Sequence, residues 1–155
     1  MTQHPDWGSV AALANTREAA IARVKHIAIA TNDPGATAKF YIDGLGMKEV
    51  GKVDNDIAEG YYLSDGYINI AILKWRQEKA AVTEGSPRYT GIHHLGFEVD
   101  ELGPAQEQVQ RAGAVPSPNN MEGMEEAAAQ KNVEMKFFGP DQVMVDLSEH
   151  GWVLE

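Results

Sequence analysis

Two histidines and one aspartate stand out in this sequence because each lies in a short apolar segment, where an ionisable group rarely occurs without a partner. His26 opens HIAIA, His94 opens HLGFEV and Asp146 lies within VMVDL. Two imidazoles and one carboxylate form a ligand set that suits Fe(II), Mn, Zn, Co or Ni and leaves positions open for substrate or water. Because the chain contains no cysteine, any metal must rely on such nitrogen and oxygen ligands.

An internal repeat indicates how these residues would meet. Residues 25–50 resemble residues 93–118 at a constant offset that aligns the two histidines. Each copy opens with alternating apolar residues typical of a strand, continues into a helix and then passes through short strand candidates. The closing strands also correspond, and they align Ala71 with Asp146. The sequence therefore predicts an α+β fold of two βαβββ modules that form a curved mixed sheet around a central cleft.

Local signals predict the remaining elements. The expected strands cover residues 47–53, 58–63 and 67–75 in the first module and 114–117, 132–138 and 142–148 in the second. In the first module Asp33 can cap a helix, Pro34 suits its first turn, and Gly44 or Gly46 ends it. Apolar residues at helical spacing are expected to face the sheet: Phe40, Tyr41 and Leu45 in the first helix, and Leu102, Ala105, Val109 and Ala112 in the second.

The chain outside the repeat is short. Residues 1–22, which include an alanine-rich stretch, are expected to form an N-terminal helical extension. Residues 23–153 then form a single domain, with modules at about 23–76 and 91–150. Residues 119–131, NNMEGMEEAAAQK, are interpreted as an insertion in the second module, with a loop followed by a short acidic helix.

Strand alternation places the candidate ligands on one face of the sheet. His26 faces the same side as the alanines that follow it, and His94 faces the same side as Gly96 and Glu98. Asp146 falls on the corresponding side of its strand. Because small residues leave room for a ligand, this face predicts a concave pocket in which three strands bring the two imidazoles and the carboxylate together.

Other readings of these residues remain open. A buried histidine is often a hydrogen-bonded core residue, and Asp146 could instead cap a strand end or pair with a cation. The equivalent positions of His26 and His94 in the repeat favour metal ligation over a core role. By alternation, His93 faces away from the pocket, so we expect it to support the site from outside or to lie at the surface.

Further candidates lie near this pocket. Glu98 is a candidate catalytic base, although it lies two residues from His94, about 7 Å along a strand, and a surface role fits equally well. Candidate substrate-binding residues lie on or beside the closing strands: Tyr61, Asn69, Ala71, Leu73, Trp75 and Met144.

The composition narrows the classes of partner. The chain has 13 basic and 23 acidic residues, and its formal net charge of -10 repels nucleic-acid phosphates and anionic lipid surfaces. No basic segment followed by an apolar stretch opens the sequence, and no segment approaches the roughly 18 apolar residues that a membrane-spanning helix needs. We therefore expect a cytoplasmic protein that binds a small molecule and neither nucleic acid nor membrane.

Four segments carry a resemblance to a known family. The openings KHIAIAT and HHLGFEVD, the helix end FYIDGLG and the close GPDQVMVDLSE resemble the vicinal oxygen chelate superfamily over about residues 23–150. This superfamily includes glyoxalase I, methylmalonyl-CoA epimerase, fosfomycin-resistance proteins, bleomycin-binding proteins and extradiol dioxygenases. The resemblance implies metal ligands on the first and last strand of each module, which here means His26, Ala71, His94 and Asp146. Alanine cannot bind a metal.

Because Ala71 cannot bind a metal, some of the activities that the resemblance implies fit this sequence better than others. Glyoxalase I and the epimerases usually carry Glu or Gln at the position of Ala71, whereas extradiol dioxygenases leave a position open beside two His and one carboxylate. That carboxylate is commonly Glu, one methylene longer than Asp146. The resemblance thus implies one divalent ion, with Fe(II) ranked before Mn, Zn, Ni and Co, and a dioxygenase-like oxidoreductase acting on a small molecule with neighbouring oxygens.

Two other functions are compatible with the same residues, and the resemblance also bears on the assembly of the protein. The first alternative is a glyoxalase- or epimerase-type isomerase or lyase. The second is a metal-free small-molecule or drug-binding resistance protein that uses the same cleft. The family pairs its modules either within one chain or across a dimer, and the sequence does not distinguish the two cases; a homodimer is the expected assembly.

Overall fold

A computed structural model of the chain describes residues 21–76, 89–118 and 134–155. The first module consists of β1 (Arg23–Ala30), α1 (Pro34–Leu45), β2 (Lys48–Asp54), β3 (Ala58–Ser64) and β4 (Asn69–Trp75). The second consists of β5 (Gly91–Glu98), α2 (Leu102–Arg111), β6 (Val115–Pro116), β7 (Met135–Phe138), a 3-10 turn (Pro140–Gln142) and β8 (Met144–Ser148). The expected α+β class is confirmed, and each expected strand is present with ends shifted by a few residues.

Two of the expected elements cannot be compared with the structure. The N-terminal helix within residues 1–22 lies outside the described residues except for residues 21–22, which carry no regular structure. The insertion at residues 119–131 lies wholly outside them. Within the described ranges, no helix is long and apolar enough to cross a bilayer.

The eight strands form one mixed sheet in the order β2-β3-β4-β1-β5-β8-β7-β6. In each module the first and last strands run parallel, β1 with β4 and β5 with β8, while β1 and β5 pair antiparallel and join the modules. The two modules therefore pair within one chain. Ala28 lies opposite Ala71, and Gly96 lies opposite Asp146, so the register confirms that Ala71 and Asp146 occupy equivalent positions.

Helix α1 begins and ends where its sequence signals place it. The Asp33 carboxylate accepts a hydrogen bond from the Ala36 amide at 2.9 Å, and Pro34 occupies the first helical position. Gly46 ends the helix in the left-handed conformation, with φ of 72° and its amide bonded to the Ile42 carbonyl. Local capping chemistry therefore defines both ends of α1.

The side of α1 that faces the sheet differs from the expected one. Ala38, Tyr41 and Ile42 pack against the sheet, whereas Phe40 and Leu45 are each 63% exposed. The expected apolar side was wrong for these two residues. Phe40 is rotated by about 100° from Tyr41 around the helix axis, and Leu45 is the last helical residue.

Helix α2 packs on the second module through three of the four residues expected to face the sheet, and the expectation was wrong for Ala112. Leu102, Ala105 and Val109 pack around the fully buried Phe137, and Ala112 lies exposed just beyond the helix end. Both helices lie on the same face of the sheet as the apolar Ile, Leu, Phe and Val residues of the strands. The opposite face carries buried polar residues and a second apolar cluster that includes alanines, Leu73 and Trp75.

The turn between β7 and β8 stores backbone strain. Asp141 and Gln142 adopt φ of 56° and 63°, a left-handed conformation that L-residues with a β-carbon rarely favour. The amide of Val143 bonds to the carbonyl of Pro140, so these two residues are the centre of a tight turn. Turns of this kind prefer glycine at the second central position.

We expect Gln142→Gly to raise the free energy of unfolding by about 0.5 to 1 kcal/mol, because glycine adopts this φ without strain. Urea denaturation of the variant and the wild type measures the difference. Gln142→Ala removes the same side chain but keeps the β-carbon, so it should give no gain. Equal stabilisation by both substitutions would show that the side chain, and not the backbone, is responsible.

Candidate functional site

The three expected ligands lie together on the face that the helices leave uncovered. His26, His94 and Asp146 are 4%, 6% and 0% exposed, and they lie on the neighbouring strands β1, β5 and β8. The two imidazole centroids are 5.3 Å apart, and Nε2 of His94 lies 3.3 Å from Oδ2 of Asp146. The site therefore sits at the junction of the two modules and draws on both.

The environment of His26 fixes its protonation state. Its Nδ1 lies 2.8 Å from Oδ1 of Asn69, an amide oxygen that can only accept, so Nδ1 carries the proton and Nε2 keeps its lone pair. Burial lowers the pKa of His26, while Glu134, Asn69 and Asp146 oppose that shift in part. The neutral imidazole is the form that binds a metal.

His94 is held by its sequence neighbour. Opposite two consecutive residues of β1, Ala28 and Ile29, β5 places three residues, and His93 is the additional one. This β-bulge turns His93 inward, so its Nδ1 lies 2.9 Å from Nδ1 of His94 and its ring packs 4.8 Å from Trp75. The prediction that His93 faces the other side was therefore wrong, because a bulge resets the alternation of side chains.

Burial and nearby positive groups act in the same direction on His94. Desolvation lowers the pKa of His94 well below its ordinary value, and the Lys136 ammonium and the rings of His26 and His93 add to this effect. His94 is therefore neutral at pH 7. Both candidate imidazole ligands are thus uncharged and have a side-chain partner at Nδ1, an arrangement compatible with metal binding through Nε2.

The carboxylate of Asp146 is only partly satisfied. Its Oδ2 contacts the Lys136 ammonium and His94, whereas its Oδ1 is buried and has no hydrogen-bond partner within the part of the chain that the structure describes. An unpartnered buried carboxylate oxygen costs about 1 to 3 kcal/mol or more unless a donor or a cation reaches it. Asp146 therefore has a carboxylate oxygen that could bind a cation.

Lys136 and Glu134 complete the polar cluster, and neither was among the residues expected from the sequence. Lys136 lies opposite Asp146 in the register of β7 and β8, and its Nζ also lies 3.5 Å from Oε2 of Glu134. Burial lowers the pKa of Lys136, but the carboxylates of Asp146 and Glu134 outweigh it, and the pKa is raised overall. The other oxygen of Glu134 accepts a hydrogen bond from Nε1 of Trp152 at 2.8 Å.

Trp152 fills the room that Gly96 leaves. Its indole stacks on the His26 ring with centroids 4.7 Å apart and an interplanar angle of 9°. A β-carbon built at Gly96 would lie 2.6 Å from Cη2 of Trp152, so only glycine admits the indole there. The following carbonyl, of Val153, accepts a hydrogen bond from the Asn69 amide at 2.7 Å. Gly96, which was expected to leave space for a ligand, instead accommodates the indole of Trp152.

The other sequence candidates fall in three places. Ala71 and Leu73 belong to an apolar cluster on the face of His26, with Trp75 packed against it. Met144 is buried on β8, two residues before Asp146. Asn69 is buried and bonded to His26, as described above.

Glu98 and Tyr61 are not brought to the imidazoles. A β-carbon built at Gly151 would lie 2.5 Å from the carboxylate of Glu98, so that carboxylate lies beside Gly151, in the segment that follows β8. Tyr61 packs with the α1 side of the sheet and lines a separate surface cavity of about 340 Å³ together with Lys52 and Arg76. Its neighbour Tyr62, opposite Ala71, is the tyrosine on the side of His26.

The chemistry of the donor set suits a divalent ion, but two features of the structure oppose one. Within the described ranges, no three His, Asp or Glu side chains are gathered closely enough to enclose an ion. Two neutral imidazoles with partners at Nδ1, and a carboxylate whose Oδ1 has no partner among the described residues, are donors that suit a divalent ion. The Lys136 ammonium on Oδ2 opposes one, because it already supplies positive charge to the carboxylate.

Comparison with known proteins agrees with this architecture. The model of the Glyoxalase/Bleomycin resistance protein/Dioxygenase superfamily matches residues 23–147. No curated protein matches the sequence.

Several solved structures share the fold. A hypothetical protein from Bacillus halodurans C-125 aligns with a TM-score of 0.59 and 21% identity over 86% of this chain and 98% of its own. Methylmalonyl-CoA epimerase from Mycobacterium tuberculosis aligns with a TM-score of 0.57 and 19% identity over 88% of this chain and 93% of its own. A mutant of 4-hydroxymandelate synthase from Streptomyces coelicolor aligns with a TM-score of 0.56 and 13% identity over 81% of this chain and 47% of its own. At these identities the likeness concerns the fold alone.

Proposed function

Because this chain belongs to the Glyoxalase/Bleomycin resistance protein/Dioxygenase superfamily, we propose that it is a metal-dependent enzyme whose divalent ion is bound by His26, His94 and Asp146. Its substrate is a small molecule with neighbouring oxygens. Fe(II) is the first-ranked candidate for the ion, and Mn, Zn, Ni and Co are the other ions that suit two imidazoles and a carboxylate.

One observation carries this proposal. Asp146 is wholly buried, yet its Oδ1 has no partner among the described residues, and two neutral imidazoles lie beside it. A buried carboxylate retained in this state is expensive, whereas coordination of a cation would offset the cost. Hydrogen bonds to Nδ1 of both histidines leave Nε2 as the nitrogen through which each ring would bind the ion.

The residues around the ligands indicate how a substrate would be held. A bound divalent ion would polarise neighbouring substrate oxygens and stabilise negative charge that develops on them. Ala71 supplies no ligand, and it is buried in an apolar cluster with Ala28, Ala58 and Leu73, so this side of the site is uncharged. Trp152 stacks on His26 and shields that ring from water.

Two reaction classes follow from the same site, and we rank the dioxygenase-like one first. With two His, one carboxylate and no fourth protein ligand, coordination positions remain for both a substrate and a second small molecule such as dioxygen. The second class is an epimerase- or glyoxalase-type proton transfer, which needs a protein base. The position of Ala71 cannot supply that base, and Glu98 would have to act from beside Gly151.

Metal analysis tests the site. Protein purified without chelators and loaded with Fe(II) under anaerobic conditions should bind one ion per chain, and His94→Ala should weaken binding by about 100-fold or more, because a ligand is lost. His150→Ala, which removes an exposed histidine, is the matched control and should bind as the wild type does. Absence of bound metal in the wild type, or equal affinity in His94→Ala, would contradict the proposal.

Two assays separate the reaction classes. Oxygen uptake by the Fe(II)-loaded protein in the presence of catechols is expected for the dioxygenase-like activity. Exchange of deuterium from solvent into the carbon beside the thioester carbonyl of methylmalonyl-CoA, without oxygen uptake, would favour the second class. Tight binding of an aromatic ligand that is unchanged in excess chelator would instead indicate a metal-free binding protein.

A further inference from the structure

Lys136 holds a position between two carboxylates at the centre of the site. Its ammonium contacts Oδ2 of Asp146, the oxygen that also lies 3.3 Å from His94, and it lies 3.5 Å from Glu134. The side chain is 32% exposed, and that of Asp146 is not exposed at all. Lys136 is therefore a cation supplied by the chain itself at a carboxylate that a metal would need.

We propose that Lys136 and the divalent ion compete for Asp146, and that the Lys136 ammonium moves to Glu134 when the ion binds. This inference rests on the proposed function, since it concerns the ion at that same site. Lys136 then acts as a resident counterion that neutralises Asp146 in the metal-free protein and sets the metal affinity of the site.

Electrostatic repulsion between the two cations favours such an exchange. A divalent ion and an ammonium on the same carboxylate would lie a few ångströms apart, where like charges repel strongly in a poorly solvated environment. Lys136 must then lose its contact with Asp146 or prevent the ion from binding. The flexible four-carbon chain of lysine allows a short movement without a change in the backbone.

Glu134 provides the second position for the ammonium. Its Oε2 already lies 3.5 Å from Nζ of Lys136, so the ammonium needs to shift by little to pair with it fully. Its Oε1 is held by Nε1 of Trp152 at 2.8 Å, which keeps the carboxylate in place during the exchange. The ammonium therefore remains paired with a carboxylate whether or not an ion is bound.

Two substitutions with opposite expected effects test the exchange. Lys136→Met removes the competing charge and should tighten Co(II) or Zn(II) binding, measured by calorimetry at pH 7.5, by about tenfold or more. Glu134→Gln removes the second position of the ammonium and should weaken binding by about threefold to tenfold. Lys74→Met is the matched control, because it breaks the lysine–glutamate pair with Glu59 away from the site and should leave the affinity unchanged.

The outcomes distinguish this inference from the proposed function. If the wild type binds an ion that depends on His94, but Lys136→Met binds it no more tightly, the exchange is wrong and the metal site stands. If Lys136→Met binds an ion and the wild type does not, Lys136 competes for Asp146 but does not move to Glu134, so the exchange is overturned and the wild type is not a metal enzyme. If Lys136→Met does not fold, a crystal structure of the wild type with Co(II) decides: Nζ nearer to Asp146 than to Glu134 would overturn the exchange.

Discussion

Asp146→Asn is expected to abolish detectable binding of the divalent ion and also to lower the free energy of unfolding of the metal-free protein by about 3 kcal/mol. Asn has nearly the same shape as Asp, so packing is preserved while the negative charge is lost. The proposed ion would lose its charged ligand, and Lys136 would lose the carboxylate of Asp146 while it keeps its contact with Glu134. Calorimetric metal titration measures the first effect, and urea denaturation in the presence of chelator measures the second.

Asp43→Asn is the control for this result. Asp43 also pairs with a lysine, Lys39, but both side chains are more than half exposed, so the substitution should cost less than about 0.5 kcal/mol and leave metal binding unchanged. If Asp146→Asn kept the affinity of the wild type, Asp146 would not be a ligand. If it stabilised the metal-free protein, the contact with Lys136 would not be a favourable interaction.

Gly96→Ala is expected to displace Trp152 from its stacked position on His26 and to lower the free energy of unfolding by about 2 to 3 kcal/mol. The new β-carbon would lie 2.6 Å from the indole and 2.7 Å from Cβ of His26. The indole can move away, whereas Cβ of His26 is fixed by the backbone of β1, so the indole has to leave and β1 and β5 have to separate slightly. Urea denaturation and the emission of Trp152, identified by its loss in Trp152→Phe, measure the two effects.

The matched control is Gly103→Ala in α2. A β-carbon at Gly103 has nothing within 4 Å, so the substitution should be neutral or slightly stabilising. Displacement of the indole should move the emission of Trp152 to longer wavelength, because the ring becomes exposed to water. A stable Gly96→Ala protein with unchanged emission would show that the sheet can widen at this point, contrary to the expectation.

The repeat made much of the fold and the placement of the three candidate ligands predictable. His26 and His94 open equivalent strands, and the residues that follow alternate, so their common face could be deduced from the sequence. The same reasoning aligned Ala71 with Asp146, and the strand register confirms that alignment. Periodicity of this kind is visible in a sequence because every member of a face contributes to it.

The supporting residues were not predictable for specific physical reasons. His93 reaches His94 only because a bulge adds one residue to β5, and nothing in the local sequence marks that bulge. Lys136 alternates with the buried Phe137, and a lysine in that pattern normally faces solvent; its role depends on Asp146 in the next strand. Trp152 follows the last strand, where alternation no longer determines direction.

Tyr61 shows that an error of one residue places a predicted site residue on the wrong face of the sheet. Tyr61 and Tyr62 are adjacent on β3, so choosing one over the other selects opposite faces of the sheet. Register alone decides between them, because Tyr62 lies opposite Ala71 and Tyr61 lies opposite Ile72. Composition and hydropathy are identical for the two residues, and only the pairing of strands distinguishes them.

The two halves of the cleft have diverged although their backbones correspond. Where the second module has Asp146 facing Lys136, the first has Ala71 facing Tyr62. A molecule with one charged end and one apolar end therefore has a single favourable orientation across the axis that relates the modules. If the ligand is held in that way, only one of its two faces is presented to the imidazoles, so the asymmetry between the modules would determine the handedness of the product.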